Sequence, residues 1–577
     1  MTGRPSTRVI ARFDSISRHE RTAPLFFALA TTSLILYGLA RPNALFGVVQ
    51  YDDGVYFDSA VRLVSGSIPY RDFVMVQPPG IAVLFAPLAL VARHIGTRDG
   101  LAIARGVTAL ICGANVYLIG RLLKDRGRLV AGCASAIVAL FPAAVFADRT
   151  LLLEPFVVFF ALLGARKCLL VTQPVTQRDL FIAGLWFGAA TSVKLWAVVL
   201  VAAILAALLL PGDDHTAHAR MRVHNASVLL AGVATTTTVV CAPFLLAAPS
   251  AFVHDVVTAQ LTRHTGSTAP IWLRLTDVVG VDGTGSSPSE LLGYLLSGVL
   301  AFVVFLGGVV AMLRRRTSTA ESFVLVAAVL GTFAILVPSQ YFNHYAYFVA
   351  PFVVASVVLS VSRLGARLRL PTAISAERRT ALLTAIGCVF LAGASTLVVA
   401  ELRFDNSLVF TVGDPSIAID LAIPIGACAI SDATVLLVEA NRATPSAPTC
   451  PALVDATGLW LATAPKEAPL GCETIAPPLV STWKGLLQEA DFFVESGSNQ
   501  SRVPWTVGLR AWFKRNYRHI PDPGAQIFVR TTSSYVAAEL NPARWSLKLL
   551  ISEGWHPPTR HGKSHAVRLP RCLSTRV

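Results

Sequence analysis

The sequence predicts a polytopic α-helical membrane protein that ends in a small α/β domain, and three observations predict it. Apolar runs of about 20 residues, the length that crosses a bilayer, recur through the first two thirds of the chain. Only 14% of the 577 residues are charged while 54% are hydrophobic, and mean hydropathy is +0.60; a soluble chain carries about a quarter charged residues. From residue 401 onward the long runs give way to short segments with alternating strand and helix character.

Lys and Arg outnumber Asp and Glu by 49 to 34, a net charge of +15. The excess gathers in short segments between apolar runs, on the side expected to be cytoplasmic. The positive-inside bias accounts for it, so the expected surroundings are a lipid bilayer and no nucleic-acid partner is expected.

Residues 1–23 hold Arg4, Arg8, Arg12, Arg18 and Arg21, which place this tail in the cytoplasm. The apolar segment 24–40 reads as a retained signal anchor, because no small-x-small cleavage site stands out. A first external loop, 41–100, follows. Within it, 55–64 is amphipathic, and 81–91 is short and broken by Pro87. If 81–91 crossed, Arg121, Lys124, Arg126 and Arg128 would fall outside, so it is expected to be a juxtamembrane helix. Spans are expected at 101–120, 129–147 and 156–170. The run 180–210 is too long for one simple span and is interrupted at Thr191-Ser192-Val193-Lys194, which predicts two short helices meeting near Lys194. Spans at 228–246, 291–313, 323–337, 345–359 and 382–399 complete a 24–400 membrane domain of about eleven crossings. The N-terminus is then inside and residues 401–577 outside, in a multi-pass plasma-membrane topology. In that last domain, strands are expected at 427–431, 492–495 and 526–530, and helices at 435–440, 483–490 and 507–517. The tail after about residue 557 reads as loosely ordered.

Cys112, Cys133, Cys168, Cys241 and Cys388 sit in or beside spans and read as packing residues. Cys428, Cys450, Cys472 and Cys572 fall in the external domain. An oxidising compartment favours a Cys428–Cys450 disulfide there, with Cys472 as the rival partner. No CxxC pair marks a zinc site. No cofactor is expected, and a need for a divalent metal is left open.

The residues that can carry chemistry gather where spans meet the external face. Asp52 and Asp53 open the stretch 51–80, and acids beside a bilayer are costly to desolvate. A carboxylate with a raised pKa can take a proton from a hydroxyl; a helix-end cap or a solvated turn is the bland alternative, and which acid would act is open. Glu154 heads an inward-running span just before Pro155, where helix-start stabilisation and an active-site role are equally open. Arg149, five residues earlier, can pair with Glu154 or with a phosphate. Lys194 is the sole charge within 180–210 and can neutralise a lipid-linked phosphate, unless it simply snorkels. Tyr341, Asn343, His344 and Tyr345 lie at an external span end, as an aromatic belt or as contacts to phosphate and sugar. Arg71, Asp72 and Gln77 are expected to shape the same site.

The pattern Tyr51-Asp52-Asp53-Gly54, Tyr56, Ala60, Pro69-Tyr70-Arg71-Asp72-Phe73 and Gln77-Pro78-Pro79 resembles the first external loop of GT-C glycosyltransferases. Protein mannosyltransferases and lipid A aminoarabinose transferases are among them. In that family an acidic pair precedes a Lys-Pro-Pro-like motif; here Asp53 stands where Glu is common and Gln77 where Lys is common. Glu154 matches the family's second external acid, and Gly184, Gly188 and Lys194 match its Gly-rich helix ending in Lys. The resemblance covers about residues 24–210.

It implies Asp52 as catalytic base and Lys194 near the donor phosphate; Asp53 and Glu154 are expected beside the base, Arg149, His344 and Arg71 beside the phosphate, and Tyr56 lining the site. The segments ACAISD, CPALVD and SGSNQSRVPWT look similar to actinobacterial members. The implied function is inverting transfer of a hexosyl or pentosyl unit, mannose or arabinose for example, from a polyprenyl-phosphate donor to an envelope glycan, lipid or protein. A transporter or lipid-linked-saccharide flippase is the rival, and it calls for acids facing one another in mid-bilayer. None of the expected spans carries one. A scaffold whose external domain binds glycan is the third reading.

Overall fold

The structure is a computed structural model and describes residues 7–40, 44–169, 175–210, 219–261, 270–280, 318–338, 340–367, 415–463, 477–496, 501–520 and 526–535. The expected spans 291–313 and 382–399, with Cys388, Cys472, Cys572 and the tail after residue 557, lie outside the described residues.

Ten helices lead the chain into its bundle. α1 (Thr7–Leu39) is followed by two helices of the first loop, α2 (Tyr51–Val64) and α3 (Gly80–Ile95). α4 (Thr97–Leu122) is the hub, packing on α1, α5 (Arg128–Ala139) and α7 (Glu154–Leu169). The expected span 129–147 is two pieces, α5 and α6 (Pro142–Ala147). Pro142 holds Phe141 in an extended conformation and so breaks the helix before it.

The predicted interruption near Lys194 is present. α8 (Gln177–Val193) ends at Lys194, whose backbone is extended at φ −147°, and α9 (Val198–Leu209) resumes after a single 3-10 turn. α8 packs along α10 (Ala219–Ala247) and α7, while α9 lies mainly on the 319–336 helix. The α8–α10 crossing depends on glycine: a Cβ on Gly184 would stand 2.0 Å from the Leu229 carbonyl oxygen, and one on Gly188 2.6 Å from that of Val233. Small residues of this kind let helix backbones approach closely in a bilayer.

Among the described residues, three helices, Thr97–Leu122, Ala219–Ala247 and Thr319–Leu336, are long and apolar enough to cross a membrane, and five shorter apolar helices accompany them.

The C-terminal segment forms a four-stranded mixed sheet of order β1-β2-β4-β3. β1 (Ala429–Ser431) runs parallel to β2 (Phe492–Glu495), while β4 (Gln526–Arg530) is antiparallel to both β2 and β3 (Tyr517–Ile520). The strands at 492–495 and 526–530 have the expected bounds and the expected 427–431 is shortened to β1; β3 and the helices Ser416–Ala422 and Ala456–Thr463 are additions, and the expected helix 507–517 gives way to strand at Tyr517. Cys428 and Cys450 are joined by a disulfide across 22 residues of sequence.

This segment does not hang apart from the rest. The 435–439 helix sits directly on α2, so close that a Cβ on Gly54 would lie 2.2 Å from the Val435 nitrogen. Thr434 Oγ1 donates to Asp58 at 3.0 Å and Thr97 Oγ1 donates to the Val438 carbonyl at 2.7 Å. One apolar core runs from Phe57 and Phe156 through Val435 and Leu437 to Phe492 and Ile527. The first loop is thus gripped between the helical bundle and the sheet.

Candidate active site

Asp52 sits in the first turn of α2, where the N-terminal dipole favours a negative charge and where Gln50 caps the helix by accepting from the Tyr51 N–H. It is half-buried. Burial first, then the charges of Asp455 and Glu154, push its carboxyl up to about 7 against the opposing charges of Lys194 and Arg502. Those four groups come from four separate stretches of chain and converge on one carboxylate.

Behind it lies a buried ion pair. Lys194, held at the break between α8 and α9, donates to Glu154 Oε1 at 2.5 Å, and both side chains are at least 95% buried. The Lys194 ammonium also stands over the Tyr345 ring at 4.2 Å and the Trp196 ring at 4.6 Å. His344 feels the charges of Glu154 and Lys194, but burial holds its imidazole down at about 4, so it is neutral at ordinary pH. It can therefore offer a hydrogen bond to a phosphate but no positive charge. Tyr56, one turn beyond Asp52, is buried against the same acids and Tyr345.

Asp53 turns the other way. Its Oδ2 accepts from Arg105 at 2.7 and 3.0 Å, and its Oδ1 accepts from the Leu151 N–H at 2.5 Å. Arg105 also holds Glu439 at 2.8 Å and the carbonyls of Leu45 and Gly47. Asp53 is therefore committed to a fully buried triad with Arg105 and Glu439.

The remaining expected residues divide. Arg71 and Asp72 are exposed and bonded to each other at 2.8 and 2.9 Å, while Asp72 also accepts from the Ile68 N–H, so both close the 66–73 turn. Gln77 is buried and its carbonyl accepts from the Tyr70 hydroxyl at 2.6 Å, which closes the loop onto itself. Tyr341 packs edge-on against Tyr345 and donates to Asp277 at 2.9 Å, bracing the 271–278 helix. Arg149 lies half-buried beside α1 at Gly38, and its charge opposes the burial that pushes Asp148 up to about 7.

Sequence reasoning missed a group from the C-terminal segment. The Tyr51 hydroxyl donates to Asp455 Oδ1 and accepts the Thr457 N–H, both at 3.0 Å. The Arg502 guanidinium covers the Tyr51 ring at 3.8 Å and donates to Thr457 Oγ1 at 3.1 Å. Asp432 orders this edge by accepting from the N–H groups of Ser496 and Arg502 at 2.7 and 3.0 Å. A signal did exist, since Asp432, Asp455 and Arg502 lie in the three C-terminal segments ACAISD, CPALVD and SGSNQSRVPWT. Among the described residues, no group of three or more His, Cys, Asp or Glu side chains is arranged to hold a metal ion.

The sequence matches no family model and no curated protein. Solved structures similar to it include the archaeal oligosaccharyltransferase AglB from Archaeoglobus fulgidus, in complex with an inhibitory peptide and a dolichol-phosphate. That pair shares 12% identity over 89% of this chain and 74% of that one, with a TM-score of 0.48. ArnT from Cupriavidus metallidurans in the apo state is similar at 13% identity over 87% of this chain and 98% of that one, with a TM-score of 0.49. Both structural neighbours are GT-C superfamily glycosyltransferases. Likeness at this level assigns no residue a role.

Proposed function

We propose that the chain is a membrane glycosyltransferase that moves one sugar from a polyprenyl-phosphate donor to an acceptor hydroxyl of the cell envelope. The observation that carries the reading is the convergence of Asp52 with the Lys194–Glu154 pair at the base of the first loop. Asp52 takes the acceptor proton, the oxygen so freed attacks the anomeric carbon, and the carbon–phosphate oxygen bond breaks with its electron pair leaving on phosphate. Phosphate departs without an acid, so one base and a cationic cradle suffice.

Lys194 uses one of its three N–H donors on Glu154, and in this reading the others serve the leaving phosphate. Glu154 is the counter-charge to Lys194 while no donor is bound. His344, neutral, adds a hydrogen bond. The topology proposed with this chemistry is the eleven-span one, its reacting face away from the cytoplasm.

The reading is tested by mass spectrometry of envelope glycans and glycolipids in a deletion strain, complemented with the wild-type chain or with Asp52→Asn. Loss of one defined sugar, restored only by the wild type, is expected; an unchanged glycan profile in the deletion overturns it. Lys194→Met is expected to cut transfer at least 100-fold. It should also cost roughly 3–5 kcal/mol in stability, because Glu154 then lies buried without a partner. Adding Glu154→Gln to that variant should recover most of the melting temperature and none of the transfer. Recovery of transfer would show that the ammonium does not act on the phosphate.

A further inference from the structure

Asp455 is made 404 residues after Tyr51, yet its carboxylate is bonded to the tyrosine that adjoins the proposed base. The same Oδ1 accepts the Gly458 N–H at 2.7 Å, which makes Asp455 the N-terminal cap of the 456–463 helix. The loop leading into it is tied back to β1 by the Cys428–Cys450 disulfide. Arg502 closes the far side by lying over the Tyr51 ring and holding Thr457. The first turn of α2 is therefore gripped from outside by a carboxylate, a guanidinium and a helix end, none of which belongs to the helical bundle.

We propose that Asp455 is a positioning residue for transfer: through Tyr51 it fixes the first turn of α2, and it sets the charge that the Asp52 carboxylate faces on the side away from Lys194. The inference rests on the reading of Asp52 as base. The groups facing Asp52 are Asp455 and Arg502 from the C-terminal segment, Glu154 from α7, Lys194 from the end of α8, and Tyr51 and Tyr56 of its own helix. His344 and Tyr345 stand behind the Glu154–Lys194 pair. Of these, Asp455 and Glu154 are the anions that oppose ionisation of Asp52.

Asp455→Asn is the discriminating variant because Asn caps a helix as well as Asp does, so the change removes a charge and little else. The probe needs no substrate. Dicyclohexylcarbodiimide attacks a carboxyl only in its protonated form. Labelling of full-length detergent-purified protein across pH, read at Asp52 by peptide fragmentation, reports where that group titrates. In the wild type the labelling midpoint is expected near pH 7. Removing the Asp455 charge should lower it by about 0.5–1 pH unit, and Asp455→Glu should restore it. Tyr51→Phe keeps the charge and breaks the bond, and is expected to leave the midpoint while lowering kcat for a labelled polyprenyl-phosphate sugar about tenfold.

An unmoved midpoint in Asp455→Asn overturns the proposal, as does full transfer activity in both Asp455→Asn and Tyr51→Phe. If Asp455→Asn does not fold, Tyr51→Phe decides it through kcat alone. Asp52→Asn run alongside keeps the two ideas apart. Full transfer in that variant sinks the base itself, whereas an inactive Asp52→Asn beside an unaltered Asp455→Asn sinks only the positioning.

Discussion

Asp52→Asn is expected to lower sugar transfer by about 10²–10⁴-fold and, at the same time, to raise the melting temperature above neutral pH. Both effects follow from the elevated carboxyl. Only the ionised form can accept a proton, so wild-type activity should climb as pH rises through about 7 and then level off. For stability the sign is the reverse. An unfolded Asp titrates at its ordinary 3.8, whereas the folded one keeps its proton to about 7. Between those values the native chain binds more protons than the unfolded chain, so stability falls as pH rises across that window. Asn cannot ionise and escapes the loss. The gain at pH 8 should be on the order of 1–3 kcal/mol, smaller than the full shift because the side chain is only half-buried. Melting curves at pH 5 and pH 8 check this: the variant should be distinctly more stable only at the higher pH. Transfer at the wild-type rate would remove Asp52 from the mechanism.

The second large effect is structural. Arg105 is fully buried and is the shared cation for Asp53 and Glu439. Arg105→Met fits the volume but strands two carboxylates in an apolar core, at a cost of roughly 3–5 kcal/mol or more. Because Glu439 belongs to the helix that sits on α2, the damage should appear first as detachment of the 415–535 segment. Limited proteolysis in detergent should cut near residues 441–450 in the variant and spare them in the wild type. Arg105→Lys should rescue only in part, since an ammonium cannot reproduce the fork that serves Asp53, Glu439 and two carbonyls together. A melting temperature within about 2 °C of wild type would show that the triad does not hold the two parts together.

Sequence reasoning could pick out Asp52 and Lys194 because each breaks a local rule: an acid beside an apolar segment, and a lone cation inside one. It could not separate Asp52 from Asp53. Neighbours on a helix point about 100° apart, and which of them faces the site depends on where Arg105 arrives from α4. Arg71 and Asp72 looked available for substrate because sequence does not reveal that they satisfy each other. Asp455 and Arg502, marked only by the segments they lie in, were passed over for another reason. Their partners lie about 400 positions away in the chain, and neither sits in a run whose periodicity marks it out. The helix break at Lys194 and the strands at 429–431, 492–495 and 526–530 were legible because each is a matter of local pattern. The added strand 517–520 was not, because Tyr517 directly continues an amphipathic helix.

Glu439 follows Arg105 by 334 residues, and that interval has a meaning in time as well as in space. At about 5–20 residues per second, a ribosome needs roughly 20–70 s to supply the second carboxylate after the first pair has emerged. Until then the nascent first loop carries the proposed base on a helix with no outer support. Competence for chemistry therefore arrives with the last third of the polypeptide, and a chain abandoned midway is a membrane protein without a finished centre.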